Sequence, residues 1–200
     1  MPRPFLLAAA ATLAAWVPPI VFGLRWPDYR ATRDFISELG AAGAPDAAAV
    51  NVSFLVAGLL LVVACLSMAR RTPGGRRAAA LGLVSCVGWS YVMAAFVPCD
   101  AGCPAEGSAT QMLHNAAGGL AYLAGGVGLL LAAGGRTGNA GGPAWLAIGA
   151  GLITLASLVG MGAPELADVR GAMQRVGEAA IFTWILVEAA AMDRARPRPV

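Results

Sequence analysis

Six apolar stretches of about twenty residues divide this chain, and each is long enough to cross the roughly 30 Å of bilayer hydrocarbon as a helix. They lie near residues 5–24, 47–68, 78–97, 112–133, 144–161 and 172–192. The first five hold no Asp, Glu or Arg; the sixth carries Arg175, Glu178 and Glu188. Transmembrane strands would be half as long and would alternate with a period of two, which these runs do not. The expected fold is all-α: a polytopic membrane protein whose six transmembrane helices form one bundle and a single domain over 1–200.

Charged residues make up 12% of the chain and hydrophobic ones 58%, against roughly 25% charge in a soluble domain. The net charge of +3 does not point to nucleic acid, because every basic residue is arginine and the arginines gather at segment ends. Their distribution sets an orientation. With the N-terminus inside, Arg3, Arg70, Arg71, Arg76, Arg77, Arg136, Arg194, Arg196 and Arg198 fall on the inner side; Arg25, Arg30, Arg33 and Arg170 fall outside. Both termini are expected in the cytoplasm of a prokaryotic cell membrane. The first segment runs through Pro18 and Pro19 to Leu24, longer than a signal-peptide core, and reads as a retained helix kinked at the prolines.

The longest outer connection, 25–46, contains the stretch DFISELGAAGAP. Phe35, Ile36 and Leu39 can form one apolar side of a short helix that Gly40 stops, lying on the membrane surface or over the bundle mouth. Polar groups sit at the same depth: Asp34 and Glu38 in this loop, Asn51 one turn into the second segment, Asp100 after the third, His114 opening the fourth, and Arg175 and Glu178 early in the sixth. They are expected to converge on an outward-facing pocket. Arg175 and Glu178 are three apart and can pair; Glu188 meets inner-face water or an arginine. His114, the sole histidine, is the natural acid or base, bonded in its plainest role to Asp100 or a loop carbonyl. Cys99 and Cys103 form a disulfide or remain two thiols. With one histidine and no spaced ligand motif, no metal and no cofactor are expected. Gly118, Gly119, Gly125, Gly126, Gly128, Gly149 and Gly151 read as close helix contacts.

FISELGAAGAP before a membrane helix, FVPCDAGCP after the third, His114 opening the fourth and GAMQRVGEAAIFTW starting the sixth together resemble the DUF998 family of prokaryotic six-helix membrane proteins, whose function is not established. The resemblance covers nearly the whole chain and falls on Ser37, Glu38, Gly40, Pro45, Pro98, Asp100, His114 and Arg175. Where relatives commonly read Phe-Pro-Thr-Asp, this chain has Val97, Pro98, Cys99 and Asp100, so a threonine-specific role is not carried over. The first-loop motif is more weakly similar to that of DRAM-type and Frag1-like membrane proteins, which implies a shared six-helix architecture.

Three functions fit the residues. The first is binding of a small molecule or lipid headgroup in the outer pocket, through Ser37, Glu38, Asn51, Asp100, His114, Arg175 and Glu178. The second is an intramembrane lipid-modifying enzyme, a hydrolase or transferase, with His114 as base, Asp100 or Glu38 beside it and Arg175 holding an anion. The third is a structural or accessory protein whose glycine-rich faces meet a membrane-protein partner or a second copy. Membrane lipid is a partner in all three; nucleic acid in none.

Overall fold

The computed structural model describes residues 3–72, 75–134 and 142–195. Among the described residues six α-helices form: α1 Pro4–Arg25, α2 Ala47–Ala69, α3 Gly75–Phe96, α4 Ala109–Gly134, α5 Ala144–Gly162 and α6 Arg170–Arg194. Two short 3₁₀-helices join them, Ile36–Gly40 before α2 and Pro164–Val169 before α6. There is no strand among the described residues. Each α-helix packs on the next in sequence, and α6 also packs on α1, which closes the bundle. Phe5 N–H donates to Asp193 Oδ2 at 3.2 Å, so the start of α1 and the end of α6 share one end of the molecule.

Apolar side chains lie on both the inside and the outside. Leu61, Leu81, Leu129, Phe182 and Trp184 fill the centre, while Leu13, Ile20, Leu24, Val52, Leu59, Leu120, Trp145 and Leu152 face outward. Water would penalise such a surface and acyl chains would not. Five helices, α1 to α5, are both long and apolar enough to cross a membrane. At 25 residues α6 is as long, but its acids Glu178 and Glu188 are buried inside the bundle, the arrangement expected of ionisable groups at membrane depth. The chain is a multi-pass membrane protein.

Local chemistry explains the boundaries. The Ser108 hydroxyl accepts the Gln111 N–H at 3.1 Å, an N-cap that starts α4 at Ala109, three residues before the apolar run. Helix α1 runs unbroken through Pro18 and Pro19. Glycines set two close approaches. A Cβ on Gly58 of α2 would stand 2.5 Å from the Gly88 carbonyl oxygen of α3, and one on Gly151 of α5 would stand 3.0 Å from that of Gly126 in α4. Gly125 and Gly128 also face neighbours, but Gly118, Gly119 and Gly149 meet nothing within 4 Å. For those three the packing reading is corrected: their faces are open.

The 25–46 connection folds inward. Ile36 and Leu39 are buried in the main core, and Glu38 Oε1 accepts the Phe35 N–H at 3.0 Å across the first turn of the short helix. Asn51 Nδ2 donates to the Gly40 carbonyl at 3.0 Å, possible because a Cβ on Gly40 would lie on the Asn51 side chain. The segment is a plug over one end of the bundle, touching α1, α2, α3 and α6.

Candidate functional site

The plug is held chiefly by the first turns of α6. Arg175 Nη1 donates to the carbonyls of Ala31 at 2.5 Å, Asp34 at 3.0 Å and Gly171 at 3.0 Å, and Nη2 donates to the Tyr29 hydroxyl. That hydroxyl donates in turn to the Phe35 carbonyl at 3.0 Å. Burial pushes the Tyr29 phenol up to about 12, against the pull of Arg175. Arg170 Nη2 reaches Glu38 Oε1 at 2.9 Å and the Gly102 carbonyl at 3.0 Å, and its guanidinium lies 4.6 Å from the Phe35 ring centroid. Burial raises the Glu38 carboxyl above its ordinary range, outweighing the Phe35 N–H and Arg170. Asp34 goes the other way: burial works against its charge, but the Arg33 side chain and the Arg30 N–H hold it low.

These bonds correct the expected pairing of Arg175 with Glu178. Three positions apart on α6, the two side chains diverge: Arg175 is taken by loop carbonyls on the α1 side, where it lines a 250 Å³ cavity beside Trp16 and Pro19. Glu178 turns inward and accepts the Tyr91 hydroxyl of α3.

The loop after α3 forms a second support. Cys99 and Cys103 are disulfide-bonded, and Cys103 has φ 42° with Gly102 at φ 77° before it, the left-handed turn that so small a ring needs. Ser37 Oγ lies 3.4 Å from Cys103 Sγ, and the Ala42 N–H donates to the Cys99 carbonyl at 2.9 Å. Asp100 accepts the Ser108 N–H at 2.8 Å and its hydroxyl at 2.7 Å. Those two bonds hold its carboxyl below the usual range. Asp100 therefore shapes the loop and holds Ser108, the cap of α4; His114 is oriented by another group.

The Val97 carbonyl orients His114 instead, 2.8 Å from Nδ1. A carbonyl only accepts, so Nδ1 carries the proton, and in the neutral ring Nε2 is left as a lone pair. The donor atoms of Cys99, Cys103 and His114 lie within 4.8 Å of one another, but sulfurs joined to each other are not the thiolates that bind metal.

Two adjoining cavities open beneath the plug. The outer, 320 Å³, is lined by Phe35, Ser37, His114, Gly118, Gly119, Tyr122, Leu158, Met161, Arg170 and Gln174. The inner, 70 Å³, shares Ser37, His114, Gly118, Tyr122 and Gln174 and reaches Phe54, Tyr91 and Glu178. The Ile36 N–H donates to Gln174 Oε1 at 2.6 Å, which holds the amide at the edge of the plug. Tyr122 OH donates to the Gln174 carbonyl at 2.9 Å.

Of the residues singled out in the sequence, Ser37, His114 and Glu178 are thus brought together. Glu38, Asn51, Asp100 and Arg175 surround the site as its scaffold and do not line these two cavities. Tyr91, Tyr122 and Gln174 complete the lining and escaped the sequence reading; the one signal was a polar tip on residues embedded in apolar runs.

The family described as Protein of unknown function (DUF998) matches residues 9–191. No curated protein and no solved structure matches the chain.

Proposed function

Because the chain belongs to the DUF998 family of six-span membrane proteins, we propose that it binds a small molecule or lipid headgroup in the double cavity under the plug. The observation that carries this reading is the combination at one place of His114, Gln174 and Ser37 in the lining of 320 Å³ of space. Few directed polar groups in a mostly apolar recess are the usual form of a ligand site. Gly118 and Gly119 lack side chains where α4 borders the outer cavity, and Leu158 and Met161 of α5 supply its apolar wall. A ligand with a hydrocarbon part would lie between α4 and α5 and turn its polar end toward His114. By the arginine distribution this mouth faces away from the cytoplasm.

Native mass spectrometry of the protein purified in mild detergent tests the reading. The wild type is expected to retain a small molecule or lipid that His114→Ala and Gln174→Ala lose, with helical content unchanged. Equal retention by folded wild type and both variants would reject the site. Reporters fused after Arg77 and Glu106 test the orientation; Glu106 on the cytoplasmic side would reverse it.

A further inference from the structure

We infer that the inner cavity receives the ammonium group of a primary amine, with Glu178 as its counter-charge; this deepens the binding reading above and rests on it. Glu178 is 4% exposed and lines the inner cavity, well inside a helix that packs within a membrane bundle. Its hydrogen-bond donors are the hydroxyls of Tyr91 and Tyr122, both neutral.

The cations nearby are engaged elsewhere. On the same helix Arg175 is bound to the carbonyls of Ala31, Asp34 and Gly171 and to Tyr29, and Arg170 is bound to Glu38 and Gly102. From α4 come Tyr122 and His114, whose Nδ1 is held by Val97; α3 presents Ser90 and Tyr91, α2 presents Phe54, and the plug presents Ser37. Ser157 of α5 packs against Gly177 next to the acid. None of these is a cation bonded to Glu178 among the described residues.

A carboxylate at this depth that feels Arg175 only through space and has no cation bonded to it is costly, and a ligand that brings a charge into contact lowers that cost. The rings of Phe54, Tyr91 and Tyr122 border the same space, and aromatic faces attract cations. Size narrows the class further. At 70 Å³ the inner cavity is about half the 150 Å³ void that accepts benzene. It accommodates a primary ammonium and its first carbons, and a primary ammonium carries N–H groups to donate to Glu178 where a trimethylammonium group has none. The rest of the molecule lies in the outer cavity, along Leu158 and Met161.

Isothermal titration of the full chain in detergent with n-hexylamine, 1-hexanol and hexyltrimethylammonium tests this. Wild type is expected to bind hexylamine about tenfold or more tightly than the other two. Glu178→Gln, nearly isosteric, should lose that preference while keeping its hexanol affinity and its circular dichroism. Tyr91→Phe should weaken hexylamine more than it weakens hexanol. Hexanol binding as tightly as hexylamine, or undiminished amine preference in Glu178→Gln, overturns the amine inference and leaves the binding site standing. Binding of none of the three probes overturns both.

Discussion

Arg170 and Glu38 meet across 132 residues of chain, with Nη2 2.9 Å from Oε1, and so tie the start of α6 to the plug. Burial is the largest influence on Glu38 and raises its carboxyl despite Arg170. A group raised in the folded state contributes stability below its unfolded pKa and loses it as pH rises through the folded one. Arg170→Ala removes one of the groups opposing that rise. It should cost about 1–3 kcal/mol at pH 7, and the deficit should shrink near pH 4, where the carboxyl is protonated. Thermal melts at the two pH values decide it; an equal loss at both would assign Arg170 to packing on Phe35 rather than to charge.

Asp34 has the opposite sign. Burial disfavours its charge, but the Arg33 side chain and the Arg30 N–H prevail and lower it, so its stabilisation is present above the ordinary carboxylate range and is lost as pH falls through the depressed value. Asp34→Asn should lower the melting temperature by a few degrees at neutral pH and by progressively less toward pH 3. A constant difference across that range would refute the linkage.

Helices were readable from the sequence because length and apolarity alone decide them, and the six runs became six helices. Ser37, His114 and Glu178 line one space beneath the plug. Direction around each helix axis was not readable. Asp100 folds back onto Ser108, and Arg175 finds loop carbonyls that no spacing rule reveals. Tyr91, Tyr122 and Gln174 were hidden because aromatic and amide groups inside an apolar run look the same whether they pack or line a space.

Gly171 permits the plug to dock. A Cβ there would stand 2.2 Å from the Asp34 carbonyl oxygen and 2.8 Å from that of Ala31, backbone already fixed by Arg175. Gly171→Ala should destabilise by about 3 kcal/mol. Gly118→Ala, which meets nothing within 4 Å, should leave stability equal or slightly higher, since Ala favours helix by about 1 kcal/mol. Denaturation of the two variants side by side checks this; equal effects would contradict the docked geometry.

Reduction of Cys99–Cys103 opens a ring of sequence separation four. Loop-closure entropy for so short a ring predicts a loss of about 2 kcal/mol, and release of Ser37 and Ala42 from the loop should loosen the plug. Alkylation of the denatured protein should count only Cys65 and Cys86 as free thiols before reduction. Four labels without reductant would show the bond is not formed.

At the opposite end of the bundle, Arg77 of α3 forms an ion pair with Glu188 of α6, and the Gly142 N–H before α5 donates to the other carboxylate oxygen at 2.9 Å. The side chains are 9% and 2% exposed, so water does little to solvate either charge if its partner is removed. Arg77→Met should therefore destabilise by about 3–5 kcal/mol, mostly through the stranded carboxylate. Adding Glu188→Leu removes that carboxylate together with its desolvation cost, so the double variant should recover most of the loss despite having fewer polar contacts. A double-mutant cycle reads the coupling directly. Losses that simply add would mean the two residues act separately, and that the join between α3 and α6 depends on the surrounding apolar contacts instead.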